Sequence, residues 1–335
     1  MNRLVIAVLL LVAACASPPA MLNDMPAPVD RPENPRAVAN QLAELLEGNF
    51  VLPDIAAKYA AMLRANAAAG RYDGETAATV LAAHITADLQ AVYPDRHLRV
   101  RARAIPRAGG GMNEPPPPPA TEDAGWIEPR IGYLRFYELS PSRYQIDEVH
   151  DFMRAHRSDK ALVIDVRDCH GGTLDVMDEI LPYLFDRRTT LVTMEVRRAA
   201  ADRMGDYLDG NDTTPRTFRD ANIIRHVHVV TPERSRGNFD TMPVYYLTSA
   251  KTASACEHLA LALQRTHRAT IAGDVTRGAG HFGGTMPLGN ALSVFIPVGR
   301  TYDPDTGWDW EGKGITPDIA VPADKAMDVV LQRIP

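Results

Sequence analysis

The sequence predicts an α/β protein with one large or two smaller domains, for three reasons. The chain has 335 residues, of which 45% are hydrophobic, so it can bury a full core. Residues 35–92 have helical periodicity, and from residue 126 onward short apolar strand-like segments alternate with helical segments. Such alternation is typical of a layered structure in which helices cover a sheet.

The first twenty residues, MNRLVIAVLLLVAACASPPA, are typical of a secretory signal. Arg3 precedes an apolar run over residues 4–14, and small residues follow it. This run is too short to span a bilayer comfortably, and no other stretch approaches the roughly 20 apolar residues of a membrane helix. We therefore predict a signal peptide over residues 1–14, which is excluded from the fold.

The end of this signal, VAAC at residues 12–15, resembles the lipobox of bacterial lipoproteins. This resemblance implies that Cys15 is lipidated and that residues 15–34, which are Pro-rich, form a flexible tether. Ordinary cleavage after the small residues 14–16 remains the alternative. We expect the protein to be exported, and a lipid anchor in the cell envelope would be its only membrane contact.

Residues 35–100 are predicted to form a three-helix cap. Three runs of apolar residues at 3.6-residue spacing are separated by Gly48, Pro53 and Gly70. The apolar positions of the three helices are Val38, Leu42, Leu45 and Leu46, then Ile55, Tyr59, Met62 and Leu63, then Val80, Leu81, Ile85 and Leu89. A linker over residues 101–125 follows, with five consecutive prolines.

Residues 126–335 are predicted to form the α/β core. Strands are predicted at 131–136, 161–166, 191–196, 244–247, 269–272 and 291–297, and helices at 146–155, 174–185, 255–267 and 323–333. The polar stretch 199–242 is predicted to be an insertion, either a lid or surface decoration.

Charge and metal-ligand spacing exclude several kinds of function. A net charge of −6 gives no reason to expect a nucleic-acid partner. His258, His281 and the pair His226 and His228 lack metal-ligand spacing with nearby carboxylates or thiols, so no metal site is inferred. We interpret Cys169 and Cys256 as free small hydrophobes of the core, although export permits a disulfide.

Ser254 stands where a predicted strand, residues 244–247, gives way to a helix through small polar residues. A serine hydroxyl at such a junction projects at the mouth of the sheet, and the first free N–H groups of the helix face any oxyanion that forms beside it. A serine that merely caps the helix is the competing interpretation. The paired glycines Gly171 and Gly172 end another buried strand and can present N–H groups to a ligand, or simply form a turn.

Two more segments complete the pattern, DRHLRV at residues 95–100 and EGKGITPD at residues 311–318. With TASACE at residues 252–257, and in this order, they resemble the C-terminal processing (tail-specific) serine peptidases. The branch most similar contains the repeat module of interphotoreceptor retinoid-binding protein and the catalytic core of the tricorn protease. This resemblance implies a crotonase-like spiral core with the three-helix cap. No PDZ domain is expected, because residues 102–125 are too few.

The resemblance also implies roles for individual residues. Ser254 would be the nucleophile, and the N–H of Ala255 with that of Gly171 or Gly172 would form the oxyanion hole. His97 would be the general base, and Glu311 would orient its imidazole. No metal or organic cofactor would be needed.

One departure from the family's usual pattern concerns the base. Tail-specific proteases use a lysine in a loop that resembles residues 273–280, where this chain has Ala279. Alanine cannot activate a serine, so the tricorn-like histidine and carboxylate fit instead. Lys251 is a rival base, but its position three residues before Ser254 directs it elsewhere.

The resemblance implies a serine peptidase of the cell envelope that acts on peptide or protein substrates, especially unstructured or C-terminal segments. The alternative is a non-catalytic module on the same fold that binds a hydrophobic ligand or a polymer, since fold alone does not settle function.

Overall fold

The structure, a computed structural model, describes residues 34–103, 121–234 and 237–335. The predictions for the signal peptide, Cys15 and most of the Pro-rich linker therefore lie outside the described residues. The helices are α1 (Pro35–Asn49), α2 (Pro53–Ala68), α3 (Ala78–Val92), α4 (Arg143–Ala155), α5 (Asp175–Leu184), α6 (Arg198–Met204), α7 (Ala255–Arg265) and α8 (Ala326–Leu331), with a 3₁₀ turn at Ala323–Lys325. Within these residues no helix is both long enough and apolar enough to span a bilayer.

Twelve strands form two six-stranded sheets in the described part of the chain. They are β1 (Arg99–Ala102), β2 (Thr121–Glu128), β3 (Ile131–Phe136), β4 (Ala161–Asp165), β5 (Thr189–Arg197), β6 (Arg216–Arg219), β7 (Ile223–Val230), β8 (Val244–Thr248), β9 (Thr270–Gly273), β10 (His281–Leu288), β11 (Leu292–Tyr302) and β12 (Ile319–Ala320). The predicted α/β class is confirmed.

The first sheet has parallel central strands. Its order is β12-β9-β8-β4-β3-β2, and only β2 runs antiparallel to its neighbour. All five residues of β4 and of β8 are buried, which explains their continuous apolar character. Since β4 and β8 are adjacent and parallel, the segments that follow their carboxyl ends meet at one edge.

The second sheet is antiparallel and has the order β1-β11-β5-β7-β6, with β10 also paired to β11. Part of the stretch 199–242 belongs to this sheet, since β7 pairs with β5 along eight positions and β6 with β7. The sequence-based description of this stretch as a lid or decoration was therefore incomplete.

The three predicted cap helices are present as α1, α2 and α3, and they pack on the second sheet. Leu42, Leu63 and Leu81 from these helices share one buried cluster with Val294 and Ile296 of β11. The cap therefore buries its apolar face against β10 and β11 and has no separate core of its own among the described residues.

Candidate active site

Ser254 lies at the start of α7, after a short loop that connects β8 to this helix. Its backbone has φ 57° and ψ −122°, and only two other non-glycine residues in the described ranges have positive φ. This conformation is uncommon for a residue with a side chain and costs on the order of 1–3 kcal/mol, so the surrounding contacts must hold it. Strained backbone of this kind is concentrated at functional sites.

The turn after β4 lies against Ser254. A Cβ atom on Gly171 would lie 2.8 Å from the Ser254 Cβ and 3.2 Å from its Oγ, so only glycine fits opposite the hydroxyl. Gly171 has φ +122° and Gly172 has φ +137°, and a Cβ on Gly172 would lie 2.0 Å from the Leu139 carbonyl oxygen. The glycine pair is thus required by this close approach.

A disulfide between Cys169 and Cys256 joins this turn to α7. The interpretation of these cysteines as free thiols was therefore wrong, because the adjacent strands β4 and β8 bring their two turns together. The Ala253 N–H also donates to the Cys169 carbonyl at 3.0 Å. The disulfide and this hydrogen bond together hold the glycine turn beside Ser254.

Three N–H groups around Ser254 donate no hydrogen bond to the described residues: those of Gly171, Gly172 and Ala255. The Leu139–Gly172 bridge uses the Gly171 carbonyl and the Thr173 N–H instead. The Ala255 N–H is free because it belongs to the first turn of α7. Unpaired N–H groups that flank a serine hydroxyl can stabilise an oxyanion.

Glu257 holds the backbone of Ser254 in place. Its Oε2 accepts the N–H groups of Ser254 and Ala279, both at 2.8 Å, and its Oε1 accepts the Gly278 N–H at 2.6 Å and the Thr276 hydroxyl at 2.5 Å. Burial raises the pKa of this fully buried carboxyl, although the four hydrogen bonds oppose that rise.

His97 follows the cap and precedes β1. Its ring stacks on Phe295, with centroids 5.4 Å apart and planes inclined by 29°, and its buried Nδ1 has no hydrogen-bond partner among the described residues. Burial lowers the pKa of His97 to about 4; Asp95 opposes this, while His281, Arg277 and Arg99 contribute to it. The imidazole is therefore neutral at pH 7 and able to accept a proton.

Glu311 does not hydrogen-bond to the His97 imidazole. Its Oε1 accepts the Arg96 N–H at 2.7 Å, and its Oε2 accepts the N–H groups of Gly280 at 2.7 Å and His281 at 3.0 Å. Burial raises the pKa of Glu311, as does the nearby Asp95. Glu311 thus contacts the His97 segment through the backbone N–H of Arg96, the residue before His97.

Asp95 and His281 form a buried pair that the sequence did not indicate. The Asp95 Oδ2 lies 2.7 Å from the His281 Nδ1, while its Oδ1 accepts the N–H groups of His97 and Leu98, both at 2.9 Å. The two residues are 186 positions apart, so no local spacing could reveal them. Burial opposes ionisation of both, yet their hydrogen bond lowers the pKa of Asp95 and raises that of His281.

Asp95, His281 and Glu311 are also the three residues in the described ranges whose ligand atoms lie close enough to hold a metal, within 4.8 Å of one another. Their atoms are already engaged, because backbone N–H groups occupy both oxygens of Glu311 and one of Asp95. This donor set suits a hydrogen-bonded cluster better than a cation site.

Lys251 points away from the site, in agreement with the expectation. Its Nζ lies 2.8 Å from Asp168 Oδ1, and 76% of its side chain is exposed. Ala279 is buried and offers no base.

A cavity of about 510 Å³ brings together Ser254, His97, Gly172 and Ala255. Leu174, Met194, Phe282 and Trp310 are among its apolar lining residues, and its acidic lining residues are Asp175 and Asp178. On one wall, Asp178, His228 and His258 form a chain with two 2.8 Å contacts, and burial lowers the pKa of His258. The volume falls within the range of small-molecule and peptide side-chain sites.

Comparison with known proteins extends these observations. Residues 130–321 match peptidase family S41, and residues 31–124 match the N-terminal domain of peptidase S41 in eukaryotic IRBP. The carboxy-terminal processing protease CtpB of Bacillus subtilis is 26% identical over 196 residues, which cover 57% of this chain and 34% of that protein. The chain thus spans about a third of the length of the curated relatives it matches.

Two solved structures share the fold along most of the chain. A putative peptidase from Parabacteroides merdae has a TM-score of 0.58 and 16% identity, covering 90% of this chain and 97% of that one. A lipoprotein from Streptococcus agalactiae has a TM-score of 0.57 and 12% identity, covering 90% and 96%. Since the family match covers more than half of its residues, the chain belongs to peptidase family S41.

Proposed function

We propose that this chain is a serine peptidase that cleaves peptide bonds through an acyl-enzyme on Ser254. The observation that carries the proposal is the position of Ser254, which has left-handed backbone at the start of α7 and lines one cavity with His97. The unpaired N–H groups of Gly171, Gly172 and Ala255 around it support the same conclusion.

In the first step, the Ser254 Oγ attacks the substrate carbonyl carbon while His97 takes its proton. The oxyanion of the tetrahedral intermediate accepts the N–H of Ala255 and that of Gly171 or Gly172. The C–N bond then breaks, and His97 gives its proton to the leaving amine. Water attacks the resulting ester, again with His97 as base, and releases the acid and free Ser254.

Glu311 is proposed as the third member of a Ser-His-Glu triad, acting through the polypeptide backbone. Its hydrogen bond to the Arg96 N–H holds the segment that carries His97, and its negative charge favours the imidazolium that forms during proton transfer. Asp95 contributes in the same way through the His97 N–H. Both carboxylates position the base and do not touch the substrate.

Labelling with an alkyl fluorophosphonate tests this assignment. The wild-type protein should be labelled at Ser254, and Ser254→Ala should abolish the label. Ser158→Ala, which removes an exposed serine elsewhere, should retain it. His97→Ala should slow labelling by about 100-fold or more. Persistent labelling of Ser254→Ala, mapped by mass spectrometry, would contradict the proposal.

The second candidate is a non-catalytic module that binds a hydrophobic ligand. The apolar part of the cavity and the match of residues 31–124 to the IRBP domain favour it. Turnover decides between the two, because a carrier should bind retinol or a fatty acid tightly while leaving casein and unstructured peptides intact. A peptidase should cleave the peptides and leave Ser254→Ala inactive.

We propose that the protein is exported and anchored to the cell envelope through a lipid on Cys15, where it acts on unstructured or C-terminal peptide segments. The VAAC sequence at residues 12–15 supports this proposal. Metabolic labelling with a palmitate analogue should mark the full chain, and Cys15→Ser should remove the label. Labelling of Cys15→Ser would contradict lipidation at this residue.

A further inference from the structure

A second cavity of about 280 Å³ lies on the other side of His97, and its charged lining is entirely basic. Arg96, Arg99, Arg101 and Arg277 line it, together with His170. No acidic residue lines it, and none of the four arginines makes an ion pair with a carboxylate in the described ranges. This cluster stands out because the whole chain has a net charge of −6.

The fold builds this basic cavity from separate segments. Arg99 and Arg101 are alternate exposed residues of β1, so they project from one face of the sheet, opposite Phe295 and Ser293 of β11. Arg277 lies in the loop after β9, and its N–H donates to the Thr252 carbonyl at 2.9 Å, beside the nucleophile turn. The cationic groups therefore converge on one place next to the catalytic centre.

The two cavities divide the space around His97 by charge. Both are lined by His97, Ala279 and Phe295, so they are neighbours on either side of these residues. The larger cavity is lined by Ser254, Ala255 and Gly172 and has acidic but no Lys or Arg lining residues. The basic cavity instead has His170 and Ala253, which flank the oxyanion turn and the nucleophile.

This division fits the two halves of a peptide substrate. The acyl half must lie beside Ser254 and the oxyanion N–H groups, which line the larger cavity. The leaving half must lie on the side of His97, because His97 donates the proton to its amine. Every leaving segment of a peptide ends in a carboxylate, and arginine binds carboxylates through paired N–H donors.

We propose that Arg96, Arg99, Arg101 and Arg277 form a binding site for a carboxylate of the substrate's leaving segment. The favoured carboxylate is the terminal one, which makes the enzyme select short C-terminal segments. An Asp or Glu side chain of the leaving segment offers the same chemistry. The inference rests on the proposed peptidase function, because only a peptidase has a leaving segment. Binding of a carboxylate by these arginines does not itself require turnover.

Binding to Ser254→Ala tests the site without catalysis. The probes are matched eight-residue peptides of Ala, Leu, Ser and Gly with a fluorescent N-terminal label, one ending in a free acid and one in an amide. We expect the free acid to bind at least about tenfold more tightly, as charge-assisted hydrogen bonds imply. Equal affinity of the two peptides would overturn the proposal.

Arginine variants in the same Ser254→Ala background assign the effect to this cavity. Arg99→Ala with Arg101→Ala should bring the ratio of free-acid to amide affinity close to one. Arg99→Lys with Arg101→Lys should keep part of it, because lysine retains charge but not the paired donors. Arg187→Ala with Arg188→Ala removes the same charge elsewhere and should leave the ratio unchanged; an equal fall there would contradict the proposal.

A third peptide, an amide with Asp as its last residue, separates the two sources of carboxylate. Binding like that of the free acid indicates recognition of any acidic group, and binding like that of the plain amide indicates the terminal carboxylate. Cleavage by the wild-type protein is measured separately. Failure to cleave any peptide would count against the proposed peptidase, while a retained free-acid preference in Ser254→Ala would still support the arginine site.

Discussion

The imidazole of His97 is partly buried among groups that mostly disfavour its protonation. Burial lowers its pKa from an ordinary value of 6.5 to about 4, with His281, Arg277 and Arg99 acting in the same direction and Asp95 against them. A base with so low a pKa is neutral throughout the physiological range. In the proposed mechanism it takes the Ser254 proton as the tetrahedral intermediate forms, so proton transfer depends on the N–H groups that stabilise the oxyanion.

This low pKa predicts an unusual pH dependence of acylation. The reactive form is the neutral imidazole, so the rate of fluorophosphonate labelling should stay nearly constant from pH 7.5 to 5.5 and fall to half near pH 4. Circular dichroism at each pH controls for loss of the fold. A midpoint near 6.5, with the fold intact, would show that His97 does not have the lowered pKa.

Glu257 supplies the second prediction at this scale. Each of its oxygens accepts at least one backbone N–H, so in Glu257→Gln the new amide N–H group must face a donor whichever way it turns. We expect a loss of about 2–3 kcal/mol in the free energy of unfolding in urea, together with slower labelling of Ser254. Glu47→Gln, in an exposed pair with Arg64, should change stability by less than about 1 kcal/mol. Equal effects of the two changes would contradict this role.

The individual site residues differed in how far the sequence could reveal them. Ser254 and Gly171 stand at strand ends before helices, a local pattern with a physical meaning. Asp95 and His281 have no such pattern, because they meet only after the cap and β10 have packed together. The bond between Cys169 and Cys256 was missed for the same reason, since it depends on the adjacency of β4 and β8.

At the scale of elements, the turn between β4 and α5 is confined on two sides. It lies against Ser254 on one side and against Leu139 on the other, and its Gly171 carbonyl accepts the Leu139 N–H at 2.8 Å. Its N–H groups can reach an oxyanion only if the backbone approaches Ser254 without a side chain. The turn therefore sets the geometry of the proposed oxyanion hole.

Gly171→Ala should remove most of the activity with little loss of secondary structure. The added Cβ would lie 2.8 Å from the Ser254 Cβ, so the turn must shift, and φ +122° disfavours alanine as well. We expect fluorophosphonate labelling to slow by about 100-fold, the usual effect of losing one oxyanion donor. Gly284→Ala is the matched control, because its Cβ would meet nothing within 4 Å. Unchanged labelling of Gly171→Ala would place the oxyanion donors elsewhere.

Some elements were absent from the sequence-based prediction for physical reasons. In β7 the histidines His226 and His228 are fully buried and paired with carboxylates, so polar residues occupy inward-facing positions of this strand. In β10 the glycines allow close packing, as a Cβ on Gly283 would lie 2.0 Å from the Ile296 carbonyl oxygen. Glycine and proline in β10 weakened its strand pattern.

At the scale of the whole molecule, the proposed site depends on the cap as much as on the core. His97 lies between α3 and β1, and its position is fixed by Asp95 and, through Arg96, by Glu311 from the far end of the chain. The cap shares its buried cluster with β10 and β11. Since Phe295 of β11 also stacks on His97, displacement of the cap would move both the base and the surface that supports it.

Leu42→Ala tests this coupling. Leu42 is fully buried in the cluster between α1 and β11, so its truncation should lower the free energy of unfolding by about 2–4 kcal/mol. Val80 is 50% exposed, so the control Val80→Ala should lower it by well under 1 kcal/mol. The cap and the second sheet share one cluster, so they should unfold together in urea. Far-ultraviolet circular dichroism and fluorophosphonate labelling of Ser254, used as two probes of this unfolding, should therefore give the same midpoint as each other in each protein. Both midpoints should fall together in Leu42→Ala. A cap that unfolded first while labelling persisted would mean that His97 is held by the core alone, through Glu311 and His281.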